Sequence, residues 1–183
     1  DHLRRGDLVA ARAAVPDAAA WDRRGQVRSL LAEGSIARAE GRLDAAVTAL
    51  ERALGLAREG GLVRESATAL AQLGVVHGLS GRYPVALDRL QEAIGLVAGT
   101  SFRVSEVAWR VEAGRVAVRL DDLAQARAQL AAARSAAGGV EDELGLARLR
   151  ELEGTIAAHD GQVDAAATAL DAAVAAFQQR QFW

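Results

Sequence analysis

The sequence has 183 residues, 51% of them hydrophobic, and a formal charge of -2, enough chain to bury a core and better suited to one domain or array than to two. Acidic and basic residues are mixed along its length, which leaves no basic field for phosphate contacts and argues against direct nucleic-acid binding. Zero Cys removes disulfides and thiolate metal sites and accords with a reducing compartment, and no apolar run approaches the roughly 20 residues that span a bilayer.

With aromatics at 4%, only 2 Pro and an abundance of Ala, Leu, Val, Arg and Glu, the composition predicts helices that approach closely over small side chains. No Met occurs, not even at position 1, and every basic residue apart from His is Arg. The chain is therefore expected to be part of a longer protein. Its charged, Gly-bearing start does not read as a signal peptide, and a cytoplasmic location is expected.

Residues 1–26 come first: Gly6, Asp7, Leu8, Ala11 and Val15 read as the turn and second helix of a partial repeat, and Pro16 marks a turn before a connecting helix. A period of 40 residues then takes over. Gly34, Gly74, Gly114 and Gly154 share a column, followed at fixed offsets by the turn residues Gly41, Gly81, Asp121 and Gly161 and the apolar anchors Leu43, Tyr83, Leu123 and Val163. Three more columns keep the register: Ala46, Ala86, Ala126 and Ala166; Leu50, Leu90, Leu130 and Leu170; Ala53, Ala93, Ala133 and Ala173.

Within a unit the spacing is helical on both sides of the turn. Leu30, Leu31, Gly34 and Ala37 form one stripe, and Leu43, Ala46, Val47, Leu50, Ala53 and Leu54 follow the i, i+3, i+4, i+7 pattern of another. Each unit is thus helix A, a tight turn and helix B, and four units are expected over 27–66, 67–106, 107–146 and 147–183. Gly60 and Gly61, Gly99, and Gly138 and Gly139 are predicted to stop the B helices. Gly inside helix A costs about 1 kcal/mol relative to Ala, so close approach is its expected reason: helix B crosses at Gly34 and Ala46, with Leu50 and its equivalents as knobs. Pro84 falls at the start of a helix B, where its missing N–H is not needed.

These columns resemble the tetratricopeptide repeat. The second unit carries the fullest copy, Leu70, Leu73, Gly74, Gly81, Tyr83, Ala86, Leu90 and Ala93, while the third departs most, with Arg110 and Asp121 in place of Leu and Gly, and its helix A is expected to be looser. The resemblance covers nearly all of residues 27–178 and implies an all-α fold, a right-handed α-solenoid of antiparallel helix pairs. A period near 40, above the usual 34, is similar to arrays in bacterial signal-transducing NTPases, in large LuxR-type and maltose-operon-type regulators, and in proteins with caspase-like domains. It implies a protein-interaction or signal-sensing scaffold within a multidomain regulator, or alternatively an array that controls an attached effector enzyme.

Candidate chemistry is sparse. His2, His77 and His159 share no ligand-like spacing, and no cofactor or metal is expected. His77 stands in a column otherwise filled by Ala37, Ala117 and Ala157, which predicts a buried, hydrogen-bonded core histidine; His159 is expected in solvent. No Gly-rich turn is followed by Lys, so no phosphate loop occurs, and Gly78 to Gly81 sits at a repeat turn without the strand a serine elbow requires. No catalytic residue is assigned. Arg23, Arg24, Asp121 and Asp122 are expected at solvated faces and helix ends, and Glu141, Asp142 and Glu143 at a helix start favoured by its dipole.

What remains is surface. The resemblance implies a concave face lined by helix A residues: Arg28, Leu31, Ser35 and Arg38 in the first unit, then Ala71, Gln72, Val75 and Gly78. The third unit contributes Val111, Glu112, Arg115, Val118 and Arg119, and the fourth Arg148, Glu151 and Thr155. Small residues and Arg suit an extended peptide or a helix bearing carboxylates, or a neighbouring domain of the parent chain. The alternative is that these Arg only keep the array soluble. The Lys and Asn columns of the clamp for chaperone tails are missing, with Leu31, Ser35, Gln72, Ala108 and Glu112 there instead. Phe177, Phe182 and Trp183 end the chain without a polar cap, so self-association through an uncapped end is a further expectation.

Overall fold

A computed structural model describes residues 22–138 and 142–181. The expectations for Gly6, Asp7, Leu8, Ala11, Val15 and Pro16, and for Gly139, Glu141, Phe182 and Trp183, lie outside the described residues. Within them the fold is all-helical: α1 Arg23–Ala39, α2 Leu43–Glu59, α3 Val63–Leu79, α4 Tyr83–Val97, α5 Arg103–Arg119, α6 Leu123–Ala137, α7 Glu143–His159 and α8 Val163–Gln181. The A helices begin at Arg23, Val63, Arg103 and Glu143 and the B helices at Leu43, Tyr83, Leu123 and Val163, so the 40-residue period of the sequence is the period of the structure.

Every A helix ends in the same way. The N–H of Arg42 donates to the carbonyl of Ala37 and that of Gly41 to Arg38, and the same two bonds recur at Arg82 and Gly81, at Asp122 and Asp121, and at Gln162 and Gly161. This crossed pair closes a helix only if the turn residue takes positive φ. Gly41, Gly81 and Gly161 do so at 75°, 73° and 72°, and Asp121 does so at 59°. Among the predicted B-helix stops, Gly61 and Gly99 have positive φ, but Gly138, with φ -56°, does not.

The described residues up to Leu96 form one compact unit and those from Val97 another. In the first, α1 packs on α2, α2 on α3, and α1 also touches α3, the arrangement expected when each helix pair is laid against the next. Its fully buried large side chains are Val27, Leu50, Leu70, Leu73, Val76 and Leu90. Each contributes roughly 1.5–3 kcal/mol by leaving water. The Gly column lets the helices close in: a Cβ on Gly34 would lie 2.6 Å from Leu50 Cγ, and one on Gly74 would lie 2.6 Å from Leu90 Cγ.

In the second unit α5 packs on α6, α6 on α7, α7 on α8, and α5 touches α7. Its core joins Val111, Ala117, Ala126, Leu130, Ala133, Leu149, Leu152 and Ile156. Gly154 faces Leu170 at 2.7 Å as the pattern requires, but the atom nearest a Cβ on Gly114 is Leu152 Cδ2, at 2.5 Å, on the next A helix rather than Leu130 on α6. The expectation of an A–B crossing knob thus holds at three of the four glycines. The third helix pair differs from the first two again at Arg110, which stands where Leu30 and Leu70 are buried and is neutralised by Glu106 one turn earlier, at 2.8 Å; the fourth pair has the exposed Arg150 in that column.

Side-chain caps close the starts of α1 and α6: Asp22 accepts from the N–H of Gly25 at 2.8 Å and Asp122 from that of Gln125 at 2.9 Å. Such caps typically contribute about 1 kcal/mol. Asp142 stands at the start of α7 without a capping hydrogen bond.

Candidate protein-interaction surface

In both units the A helices lie side by side, and it is across these A–A contacts that several of the predicted surface residues meet. Ser35 Oγ on α1 donates to Gln72 Oε1 on α3 at 2.9 Å. On α5 and α7, Arg115 lies 3.7 Å from both Glu112 and Glu151. Thr155 turns its hydroxyl back to the Glu151 carbonyl at 2.8 Å, which leaves less of it for a ligand.

Arg28, Arg38, Arg115 and Arg119 are exposed, and Ser35, Gln72, Val75, Gly78, Glu112, Val118, Arg148, Glu151 and Thr155 are half-buried. Leu31, Ala71 and Val111 are different. They are buried, Val111 completely, and Val111 belongs to the core that also holds Leu149 and Leu152, so it has no surface to offer a partner. Val118 packs on the same core. At Leu31, Ala71 and Val111 the side chains are covered by the rest of the protein.

The charges on these faces differ in how far they are satisfied. Arg24, expected merely in solvent, reaches from α1 to the buried Glu65 on α3 at 3.1 Å. By contrast, Arg28, Arg38, Arg119 and Arg148 make no ion pair or hydrogen bond among the described residues. The Arg24–Glu65 link escapes sequence reading because its partners are 41 positions apart and neither interrupts a repeat column.

His77 is buried as predicted, but its Nδ1 has no hydrogen-bond partner among the described residues, which corrects the expectation of a hydrogen-bonded core histidine. Burial is the main cause of a pKa held below the usual 6.5; the Arg82 and Arg89 charges lower it further and Glu51 opposes them. His159 is exposed on the last turn of α7. Among the described residues no group of three His, Asp or Glu side chains converges as a metal site would require, and no helix is long and apolar enough to cross a membrane.

Comparison with known proteins agrees with this architecture. A sequence profile described as Tetratricopeptide repeat matches residues 26–97, a stretch that runs from the first turn of α1 to the end of α4. No curated protein matches the sequence. Among solved structures, BtubC (BKLC) from P. vanneervenii has a TM-score of 0.78 at 17% identity, covering 100% of this chain and 78% of that one. MamA has a TM-score of 0.62 at 18% identity, covering 100% and 95%. A putative kinesin light chain from Podosopora anserina with nearly identical TPR-like repeats has a TM-score of 0.68 at 14% identity, covering 100% and 87%. Identities this low show the fold alone. The eight described helices thus share the fold of these TPR-like arrays, and residues 26–97 also match the tetratricopeptide repeat in sequence.

Proposed function

We propose that this protein is a protein-interaction scaffold that recognises an acidic peptide or helix along the exposed faces of its A helices, as the sensing part of a larger cytoplasmic bacterial regulator. Repeats of this type typically bind proteins or peptides and generally serve as non-catalytic scaffolds. The observation that carries the reading is the set of guanidinium groups on these faces, Arg28 and Arg38 on α1 and Arg119 on α5, that are exposed and lack carboxylate partners among the described residues. A carboxylate completes such a group with paired, charge-assisted hydrogen bonds. The mechanism is steric and electrostatic: the A helices of each unit present exposed guanidinium donors, and capture of the partner changes how the parent protein associates.

Fluorescence polarisation with labelled acidic peptides, against basic peptides of equal length, tests it. Binding is expected to weaken as salt rises. The pair Arg28→Glu and Arg38→Glu is expected to weaken it about tenfold or more, since each charged hydrogen bond contributes about 1.5–3 kcal/mol. Unchanged affinity after charge reversal would show that these Arg only solubilise the array.

A further inference from the structure

Between α5 and α6 a cleft of about 300 Å³ opens, lined by Gly99, Thr100, Arg103, Glu106, Arg110 and, from α6, Ala132, Ser135 and Ala136. It lies where the third helix pair departs from its repeat. Arg110 takes the column of the buried Leu30 and Leu70 and of the exposed Arg150, and Glu106 that of Gln26, the buried Ser66 and Leu146, so only the third pair sets an Arg and a Glu together there. A half-buried ion pair in place of packed apolar groups is commonly neutral or unfavourable for stability, so the substitution asks for another reason.

The donor inventory supplies one. Arg110 directs Nε and Nη2 to the same oxygen of Glu106, Oε1, at 2.9 and 2.8 Å, and Nη1 to Gln129 Oε1 at 3.4 Å. Its side chain is 17% exposed and that of Glu106 9%. A guanidinium has five N–H donors, so two of Arg110's remain. Arg103 spends one Nη1 donor on the Gly138 carbonyl at 3.2 Å. Two guanidinium groups against one carboxylate leave the cleft one positive charge in surplus, with unspent planar donors and the hydroxyls of Thr100 and Ser135 close by. Planar N–H forks match a carboxylate, and a single surplus charge matches a monoanion better than a phosphate dianion, which Glu106 would repel.

We infer that the α5–α6 cleft is a binding site for a carboxylate monoanion, either a small free acid or the carboxylate of a peptide, held by Arg103 and Arg110. Arg103, Glu106 and Arg110 recur at i, i+3 and i+7 on the α6-facing side of α5. Arg115 and Arg119 project from roughly the opposite side at about 100° per residue, so the site is independent of the peptide face proposed above.

The test is nuclear magnetic resonance of the arginine Nε–H groups during titration with acetate, an N-acetyl dipeptide with a free carboxylate, the same dipeptide amidated, and inorganic phosphate. Saturable shifts of Arg103 and Arg110 with the two carboxylates, and none with the amide, are expected. A dipeptide acid that binds tighter than acetate identifies a peptide carboxylate, and equal affinity identifies a free acid. The double variant Glu106→Ser with Arg110→Leu restores the residues of the second repeat, so it keeps the fold while binding falls about tenfold or more. Absence of saturation by either carboxylate, phosphate binding as tight as acetate, or full binding by the double variant would each overturn the site. Arg28→Glu with Arg38→Glu leaves the shifts in place, which separates this result from the peptide-face reading.

Discussion

His77 shows how a single departure from a repeat column creates a measurable liability. Its equivalents are Ala, yet the imidazole is buried, and its Nδ1 finds no hydrogen-bond partner among the described residues. In the folded chain its pKa lies below 6.5, chiefly through burial; in the unfolded chain it returns to about 6.5. The unfolded state therefore takes up a proton first as the pH falls, and stability declines from about pH 6.5 down to the folded-state pKa. Melting temperatures from pH 7.5 to 5.5 should drop more steeply for the native protein than for His77→Ala; parallel curves would remove the histidine from this account. Glycine offers the complementary case. Gly74→Ala places a methyl 2.6 Å from Leu90 Cγ and 3.1 Å from the Ala86 carbonyl, and a loss of about 1–3 kcal/mol is expected despite the better helix former. Gly55→Ala on the exposed side of α2 meets nothing within 4 Å and should gain up to about 1 kcal/mol. Denaturant titrations showing the same sign for both would refute the close-approach explanation.

At the scale of the helix, the same residue type has different worth according to how fully its neighbours cover it. Leu50 and Leu90 are 0% exposed and Leu130 is 7% exposed, whereas Leu170, the fourth member of the column, is 37% exposed and its neighbour Val174 is 51% exposed. Leu90→Ala should cost about 2–5 kcal/mol, and Leu170→Ala well under that, because the removed atoms were already partly in water. Equal losses in urea unfolding would mean that α8 is covered in solution. The alternation of A and B helices, their stops at Gly61 and Gly99 and the turn column were all legible in the sequence, because they rest on local spacing and on positive φ. What was not legible depends on where one helix faces another: Leu152 rather than Leu130 over Gly114, Glu65 beneath Arg24, and Val111 in the core instead of on a surface. Arg110 was visible as an exception, but the cleft it shares with Glu106 emerges only when α6 supplies the opposite wall.

Across the whole molecule, two compact units divide at residues 96 and 97, and both are built from the same helix pair. The profile match ends at residue 97, and the second unit carries column exceptions such as Arg110 and Asp121. Repetition imposes a further rule on inheritance. Because both kinds of helix start recur every 40 residues, a change of size in whole steps keeps the helices intact. Copying or excising a segment such as 63–102 re-creates an existing junction, with every apolar stripe still in phase, whereas an insertion of a few residues inside a helix would rotate the remainder of its stripe toward water. Length in this lineage should therefore come in multiples of one helix pair.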